Sequence, residues 1–425
     1  MDNFQPTGQT AAQERGVTRP VRRWRDPGVS RVPGWVYTDP DVYQRELDRI
    51  FNGPLWSYVA LAAEIPNQGD FKRTWIGERS VIVVRGEDDA INVVENRCAH
   101  RGAQFLQEAS GNRKDFICPY HQWSYDLQGR LLGVPFMRGI KGKGGMPSDF
   151  RRDEHGLNQL KVAVHNGVIF ASFHPEVPDF KEFLGPTMLG YFERVFDGRE
   201  LKVLGYNRQR VSGNWKLIHE NLKDCYHPGL LHTWFVNYGL WRADNESKNV
   251  MDEERRHSAM VTIRNEGGAG EATAGVSSFR ADMQLNDGRF LDVEPESWWN
   301  GPTAVIQSIF PSVIMQQQIN SVAVRQVIPR GPRAFDYIWT HLGFADDTPE
   351  MTERRLRQAN LFGPAGFVSA DDSEIIGLVE DGMLQDPEYR TYCELGGRGV
   401  EDTDTHISET LLRGMYQYYR KIMEL

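Results

Sequence analysis

The sequence predicts an α+β protein of two domains, a small all-β domain followed by a larger domain in which helices cover an antiparallel β-sheet. The chain has 425 residues, too many for one small core, and 40% of them are hydrophobic, enough to bury a large interior. Short β-rich runs broken by turns fill residues 55–175, whereas helical stretches alternate with strand-like runs beyond them. We therefore expect an N-terminal arm with a helix over 1–54, the small domain over 55–175 and the larger domain over 176–425.

The arm is rich in Arg, Pro and Gly up to about residue 40, and we expect it to become ordered by packing on the larger domain. In the small domain, period-two runs bounded by turn residues predict strands. These runs are Val81–Val84, Ile91–Glu95, Phe116–Cys118 and Val168–Phe173.

The larger domain combines helical periodicity with alternating runs, as expected for a sheet covered by helices. We predict helices over about 212–227, 349–360, 371–383 and 408–422. The predicted strands are Thr303–Phe310, Val313–Gln317 and Val322–Ile328. The small residues of Gly267–Gly275 predict a loop over this domain.

Charge and hydropathy exclude several classes of function. The formal net charge of −9 argues against general affinity for nucleic acid or anionic membranes, so a small molecule or a protein is the expected partner. The chain has no run of 18 apolar residues, and its first thirty residues are polar and rich in Arg, without the apolar core of a signal peptide. We therefore expect a cytoplasmic protein that is not in a membrane.

Two cysteines and two histidines form the first chemical motif. Cys98-x-His100 and Cys118-x₂-His121 are separated by seventeen residues, so two loops each offer one thiolate and one imidazole. In a Rieske [2Fe–2S] cluster two cysteines hold one iron and two histidines the other. A structural zinc site accepts the same ligands, but glycine and aromatic residues follow each pair and can shield a cluster, which favours the iron–sulfur interpretation. Cys225 and Cys393 remain as free thiols.

A second motif lies between residues 214 and 232. In a helix, Glu220, Asp224 and His227 would project from one face, and Pro228 would then end the helix and let His232 fold back beside His227. Two histidines and one carboxylate form the facial triad of Fe(II) oxygenases, which leaves coordination positions open. Asp224 is one candidate for the carboxylate, and a partner that orients a ligand histidine is its alternative role.

Two adjacent acids downstream are the other candidates for the carboxylate. Asp371 and Asp372 follow the run Phe362–Ala370 at the predicted start of a helix. N-terminal capping of that helix would explain them equally well. The residues alone leave Asp224, Asp371 and Asp372 open, and His219 is expected to be a packing residue.

Together the two motifs resemble the large (alpha) subunits of Rieske non-haem iron ring-hydroxylating oxygenases, over essentially the whole chain. Within this family the chain looks most like the group that includes the large subunits of salicylate 5-hydroxylase, terephthalate dioxygenase and anthranilate dioxygenase, with the first of these the most similar. Besides the two motifs, the resemblance rests on Gly69–Arg73, Asn96–Gly102, Gly144–Pro147, Gly229–Phe235, Gly239–Asn245, Asn320–Gln326 and Arg355–Gly366.

The resemblance implies a role for each site residue. Cys98, His100, Cys118 and His121 would hold one [2Fe–2S] cluster. His227, His232 and Asp372 would hold one mononuclear Fe(II), with Asp371 as a capping neighbour. Asp224 would hydrogen-bond a ligand histidine and reach the Rieske histidine of an adjacent subunit, for which the matching residue is His121.

The electron supply must come from outside the chain. No dinucleotide fingerprint exists, because Gly268-Ala-Gly270 is followed by Glu-Ala-Thr where a third glycine is required. The resemblance implies that a ferredoxin and a ferredoxin reductase deliver electrons from NADH, that O₂ is a substrate, and that alpha subunits form a head-to-tail ring capped by small beta subunits, as α3β3.

The expected substrate is a small aromatic acid. Arg325 follows an alternating run in the sheet expected behind the site, just after the amide-rich run Gln316–Asn320. Since the resembling enzymes act on aromatic carboxylates, we predict that Arg325 binds the carboxylate bidentately, with Arg242 as the second candidate. A solvent-facing strand arginine is the alternative.

The resemblance favours conversion of salicylate to gentisate over the anthranilate 1,2-dioxygenase reaction or dioxygenation of terephthalate or another ortho-substituted benzoate. A Rieske electron carrier that lacks the mononuclear iron is the alternative from another class.

Overall fold

The computed structural model describes residues 22–242, 244–263, 283, 285–299, 301–386 and 388–425. The predicted loop Gly267–Gly275 and the first 21 residues of the predicted arm lie outside these ranges. Among the described residues, no helix combines the length and apolar character needed to cross a membrane.

The N-terminal segment packs on the C-terminal part of the chain. It contains β1 (Arg31–Pro33), α1 (Trp35–Thr38) and α2 (Pro40–Glu46), which continues as a π-helical turn over Leu47–Phe51. Strand β1 pairs with β19 (Arg390–Tyr392), and the buried Trp24 contacts Tyr416 with ring centroids 5.8 Å apart. From residue 22 onwards, this segment therefore contacts β19 and the helix that contains Tyr416, near the C-terminal end of the chain.

The small domain is built from three antiparallel sheets, as the fold class predicts. Its strands are β2 (Ser57–Leu61), β3 (Asp70–Ile76), β4 (Arg79–Arg85), β5 (Ile91–Glu95), β6 (Ser110–Asn112), β7 (Phe116–Ile117), β8 (Ser124–Tyr125), β9 (Leu131–Gly133), β10 (Lys161–His165) and β11 (Val168–Ser172). The sheet orders are β5-β4-β3-β6, β10-β11-β2 and β7-β8-β9. Each strand predicted here from the sequence coincides with an observed one, to within two residues at its ends.

The larger domain places one antiparallel sheet under several helices. Its strands are β12 (Leu201–Ser212), β13 (Glu246–Met251), β14 (Ser258–Ile263), β15 (Ala304–Ile309), β16 (Val313–Gln318), β17 (Ser321–Pro329) and β18 (Ala334–Phe344), in the order β12-β18-β17-β16-β15-β14-β13. Its helices are α3 (Phe180–Glu193), α4 (Trp215–Asn221), α5 (Thr233–Asn237), α6 (Pro349–Phe362), α7 (Phe367–Gln385) and α8 (Thr410–Met423). Every residue of β17 is buried, because both faces of this inner strand are covered.

Two predictions about the helices are wrong. The predicted helix over 212–227 ends at Asn221, since the Asp224 carboxylate accepts the backbone N–H groups of Tyr226 and His227 and so competes with helical hydrogen bonds. Glu220, Asp224 and His227 therefore do not share one helix face. Helix α7 begins at Phe367, before the predicted 371, so Asp371 and Asp372 lie in its second turn and do not cap its N-terminus.

Candidate metal centres

The first cysteine–histidine pair lies in a tight loop after β5. The backbone N–H of Cys98 donates to Ala103, and the N–H of Gly102 donates to Cys98 (both 2.9 Å). Gly102 has φ +73°, a conformation that glycine adopts without a steric penalty. Local hydrogen bonds therefore close this loop without help from the larger domain.

The second pair lies in a matching loop between β7 and β8. Cys118 donates its N–H to Trp123, and Gln122 donates back to Cys118 (both 2.9 Å). The Trp123 ring stacks on His100, with centroids 4.7 Å apart. The sequence thus fixes the shape of each loop with short-range contacts and shields one side of the pair with an aromatic ring.

The two loops bring all four predicted ligands together. Cys98 and Cys118 are buried, while the half-buried rings of His100 and His121 lie 4.6 Å apart. Burial raises the pKa of the Cys98 thiol, although its contact with the Tyr125 hydroxyl (3.2 Å) opposes the shift. A bound cation is what would hold this sulfur as a thiolate. The Nδ1 atom of His100 is buried without a hydrogen-bond partner among the described residues, which fits an imidazole that ligates a metal.

The second centre joins three side chains from two distant parts of the chain. His227 opens a 3₁₀ turn after α4, His232 immediately precedes α5, and Asp372 projects from α7. The Asp372 Oδ1 atom lies 3.5 Å from His227 Nε2 and 3.2 Å from His232 Nε2. One ligand atom from each residue lies within 4.8 Å of the others. Two imidazoles and one carboxylate at this spacing match the donor set of a facial triad.

In the metal-free site the neighbouring carboxylates hold a proton on His227, and a metal ion would have to displace it. Burial lowers the pKa of His227, but the carboxylates of Asp224 and Asp372 outweigh burial and raise it to about 10. Burial raises the pKa of Asp372, yet both histidines outweigh that effect and hold it well below its usual value. Asp372 is therefore an anion, although its side chain is almost fully buried.

Neighbouring groups orient the two histidines. The Nδ1 atom of His227 lies 2.8 Å from the backbone carbonyl of Asp224 and 3.8 Å from its carboxylate. The Nδ1 atom of His232 lies 3.2 Å from Asp371 Oδ2. Both Nε2 atoms are thereby left to face Asp372. Asp371, expected to be a capping neighbour, instead contacts a histidine.

Asn221, the last residue of α4, was missed by the sequence analysis. Its Nδ2 atom donates to Asp372 Oδ1 (3.0 Å) and lies 3.4 Å from His227 Nε2. Its position within the motif of residues 214–232, six residues before His227, is the sequence signal that could have identified it. His219, in contrast, is the packing residue that was expected, fully buried within the domain.

A cavity of about 130 Å³ opens beside His227, His232 and Asp372. Since a cavity of about 150 Å³ accepts benzene, this one has the scale of a single aromatic ring. Its walls are mainly apolar and aromatic, and include Phe235, Leu240, Trp241, Ile306, Trp339 and Phe362. Cys225, expected to be a packing residue, also contributes to the wall, and its thiol is free.

Polar side chains interrupt this wall. Gln316 and Gln318, both from the amide-rich run, line the cavity. Arg325 also lines it, only 3% exposed, with its guanidinium 4.7 Å from the centre of the Trp339 ring. Its Nε and Nη2 atoms are buried without a hydrogen-bond partner among the described residues. The alternative of a solvent-facing arginine is therefore wrong.

The two candidate arginines differ in their surroundings. Burial lowers the pKa of Arg325, while contact with Tyr337 and the negative charge of Asp372 oppose that shift. Arg242 instead forms an ion pair with Asp244 (2.6 Å) and is not among the described residues that line the cavity. A buried guanidinium beside the triad that forms no ion pair with the described residues is the feature expected of an anion-binding group.

Two known protein families match two separate parts of the chain. Residues 55–143 match the Rieske [2Fe–2S] domain, and residues 198–425 match the catalytic domain of the ring-hydroxylating alpha subunit.

Three relatives align along nearly the whole chain. The large oxygenase component of salicylate 5-hydroxylase from Ralstonia sp. is 60% identical over 406 residues, which cover 94% of this chain and 96% of that protein. The anthranilate 1,2-dioxygenase large subunit of Burkholderia cepacia is 41% identical over 397 residues, which cover 93% of this chain and 93% of that protein. Subunit alpha 2 of the terminal oxygenase component of terephthalate 1,2-dioxygenase from Comamonas sp. is 39% identical, covering 95% of this chain and 98% of that protein.

Among solved structures, naphthalene 1,2-dioxygenase from Rhodococcus sp. bound to indole has the same fold. It superposes with a TM-score of 0.77 at 22% identity, covering 92% of this chain and 94% of that one.

Proposed function

Since the chain belongs to the family of Rieske ring-hydroxylating oxygenase alpha subunits, we propose that it hydroxylates salicylate to gentisate. The chain is an oxidoreductase with one [2Fe–2S] cluster and one mononuclear iron. When bound, these groups supply single electrons and activate dioxygen beside the aromatic ring. The alternative of a simple electron carrier is excluded by the catalytic-domain match.

We assign the cluster to Cys98, His100, Cys118 and His121. The convergence of the two loops and the unpartnered Nδ1 atom of His100 support this assignment. The mononuclear iron is assigned to His227, His232 and Asp372, whose ligand atoms already lie together. We also propose that residues 55–175 act as the electron-accepting unit and residues 176–425 as the hydroxylating unit, with residues 1–54 as an arm on the latter.

The observation that carries the substrate class is Arg325. This buried cation forms no ion pair within the described ranges and lies in a cavity of the scale of one aromatic ring, so it is suited to the carboxylate of a benzoate. Gln316 adds an amide to the same wall, and its Oε1 atom is buried without a partner among the described residues. These groups would hold the polar edge of the ring, while the apolar wall excludes water.

Residues around the triad hold its geometry. The Asp224 carbonyl and the Asp371 carboxylate would orient the two ligand histidines, and Asn221 would hold the Asp372 carboxylate by an N–H donor. Such partners commonly change metal affinity or activity by about 10–100-fold when removed.

The family works with an external electron supply, and we propose a ferredoxin and an NADH-dependent reductase as the donors. We further propose a cytoplasmic α3β3 assembly in which His121 of one copy faces Asp224 of the next. The half-buried His121 beside Tyr120, which is 60% exposed, supports electron exchange at the surface of the small domain. The Asp224 side chain is 22% exposed, and so is accessible from outside.

The substrate proposal is tested by turnover of salicylate, anthranilate, terephthalate and benzoate with a surrogate ferredoxin and reductase, with products identified by chromatography. We expect gentisate from salicylate to be the preferred product.

Arg325→Ala should raise the KM for salicylate by orders of magnitude, since removing the partner of a buried charge costs about 2–5 kcal/mol. The cluster and iron spectra should not change.

Arg242→Ala is the matched control, because Arg242 is also a buried arginine, 8% exposed against 3% for Arg325, but is paired with Asp244. We expect it to change KM little. An unaltered KM in Arg325→Ala would contradict the proposal that this residue binds the carboxylate. Preferential turnover of uncharged arenes by the wild type would contradict the proposal that the substrate is an aromatic carboxylate.

A further inference from the structure

His406 is a cavity residue for which the metal sites and the proposed carboxylate site provide no role. It lies between β19 and α8, in a segment held on β13 by backbone hydrogen bonds in both directions between Asn249 and Thr403 (2.7 and 3.0 Å). The Asn249 side chain also donates to the carbonyl of Thr405 (2.8 Å). The segment thus holds the imidazole in the cavity wall near Trp241, with ring centroids 6.2 Å apart.

The polar atoms of His406 are not satisfied. The residue is 2% exposed, and both Nδ1 and Nε2 are buried without a hydrogen-bond partner in the described part of the chain. A buried polar group without a partner destabilises the folded protein, and such groups are uncommon in native structures unless a ligand or water satisfies them.

Two of the other buried histidines of the same domain, His219 and His257, show the contrast. His219 contacts Ser308 Oγ (3.2 Å) and the carbonyl of Pro311 (2.8 Å). His257 contacts the carbonyl of Phe183 and the N–H of Phe310 (both 3.1 Å). Both use their two ring nitrogens within the protein, and neither lines the cavity. His406 differs in both respects, because neither of its ring nitrogens has a partner among the described residues and its side chain lines the cavity.

Burial lowers the pKa of His406 to about 4, so the ring is neutral near pH 7. A neutral imidazole has one N–H donor and one acceptor nitrogen. It is therefore suited to a hydroxyl or amine group and gives no positive charge for a carboxylate. Arg325 on strand β17 and His406 on the segment beside β13 both line this cavity, so one ligand in it can present a different group to each.

We infer that His406 is the hydrogen-bond partner of the ring substituent that accompanies the carboxylate, and so determines the preference for hydroxy- or amino-benzoates over benzoate. This inference rests on the proposed function, since it assigns a further polar contact to the same substrate, beside those of Arg325 and Gln316.

The test is calorimetric binding of salicylate, anthranilate and benzoate to the holoenzyme and its variants. His406→Phe keeps an aromatic ring beside Trp241 but removes both nitrogens. We expect it to raise the Kd for salicylate about tenfold, the effect of one lost hydrogen bond, and to leave the Kd for benzoate nearly unchanged. His406→Gln keeps a donor and an acceptor, so it should retain most of the preference for salicylate over benzoate. This second variant separates the loss of the hydrogen bond from a general folding defect caused by substitution at residue 406.

Met260→Leu is the matched control, because Met260 lines the same cavity without a strong hydrogen-bonding group. It should change the three affinities by the same factor. Equal weakening of all three acids by His406→Phe, or an unchanged preference for salicylate, would overturn the inference while leaving the proposed function intact. Failure of the wild type to bind any of the acids would overturn both.

Discussion

The two metal centres are built in opposite ways. The proposed cluster ligands lie within residues 98–121, in two loops closed by their own backbone hydrogen bonds, and their histidine rings are half-buried. The proposed iron ligands come from residues 227–232 and from Asp372 on α7, and His232 is 1% exposed. A centre that receives electrons from another protein must approach the surface, whereas dioxygen chemistry benefits from a dry cavity.

The second centre also depends on how the larger domain packs. Helix α7 is held on β12 through Gln209, which donates to Ser373 Oγ (3.0 Å) and accepts from Ser369 Oγ (2.8 Å). Because Asp372 belongs to α7, a change that shifts this helix also changes the position of Asp372 relative to the histidines. Local turns fix the first site, while long-range packing fixes the second. A substitution that removes the metal from one centre should therefore leave the other centre intact.

The largest effect is expected for Asp372→Ala. Removing one of three protein ligands should release the mononuclear iron and abolish turnover, while the visible absorption of the cluster persists because its ligands lie in another domain. Metal analysis should show the loss of one iron per chain.

The reciprocal variant Cys118→Ser should remove the cluster colour and keep the mononuclear iron. Loss of both centres in either variant would contradict their independence. Full iron and activity in Asp372→Ala would assign the carboxylate role to Asp371 or Asp224.

A smaller effect is expected for Asp224→Asn, which tests the connection between the centres. The amide keeps the shape that accepts N–H groups from Tyr226 and His227 but removes the charge beside His227. Both metals should remain, and activity should fall about 10–100-fold. Stopped-flow absorption should show a cluster that is reduced normally but reoxidised slowly by oxygen and substrate. Reoxidation at the wild-type rate would mean that electrons take another route.

The smallest effect concerns pH and the buried core that supports the iron site. Burial lowers the pKa of His219 to about 3, with a contribution from Lys223. The unfolded chain takes up this proton near pH 6.5, so the unfolded state binds more protons as the pH falls from about 6.5 towards 3. This histidine therefore lowers the free energy of unfolding over that window, by up to about 1.4 kcal/mol per pH unit.

His219→Gln removes the titration and keeps a hydrogen-bonding side chain. Its Tm should lie below that of the wild type near neutral pH, since the contacts with Ser308 and Pro311 are imperfectly replaced. The difference should narrow at about pH 5.5. A constant difference across this range would show that His219 does not contribute to the acid sensitivity of the domain.

The local features of this protein were readable from the sequence. The spacing of Cys98, His100, Cys118 and His121 defined two loops, and the period-two runs located most strands, because turns and strand faces depend on near neighbours. The α+β fold class followed from the same patterns and agrees with the structure and its relatives.

Only the tertiary structure decided which distant groups meet. Helical periodicity placed Asp224 on one face with His227, but the Asp224 side chain ends the helical pattern by binding the backbone, and Asp372 reaches the histidines instead. The contrast between Arg325 and Arg242 and the unsatisfied ring of His406 likewise depend on burial and partners. Such properties arise where segments far apart in the chain pack around one cavity, and no local pattern encodes them.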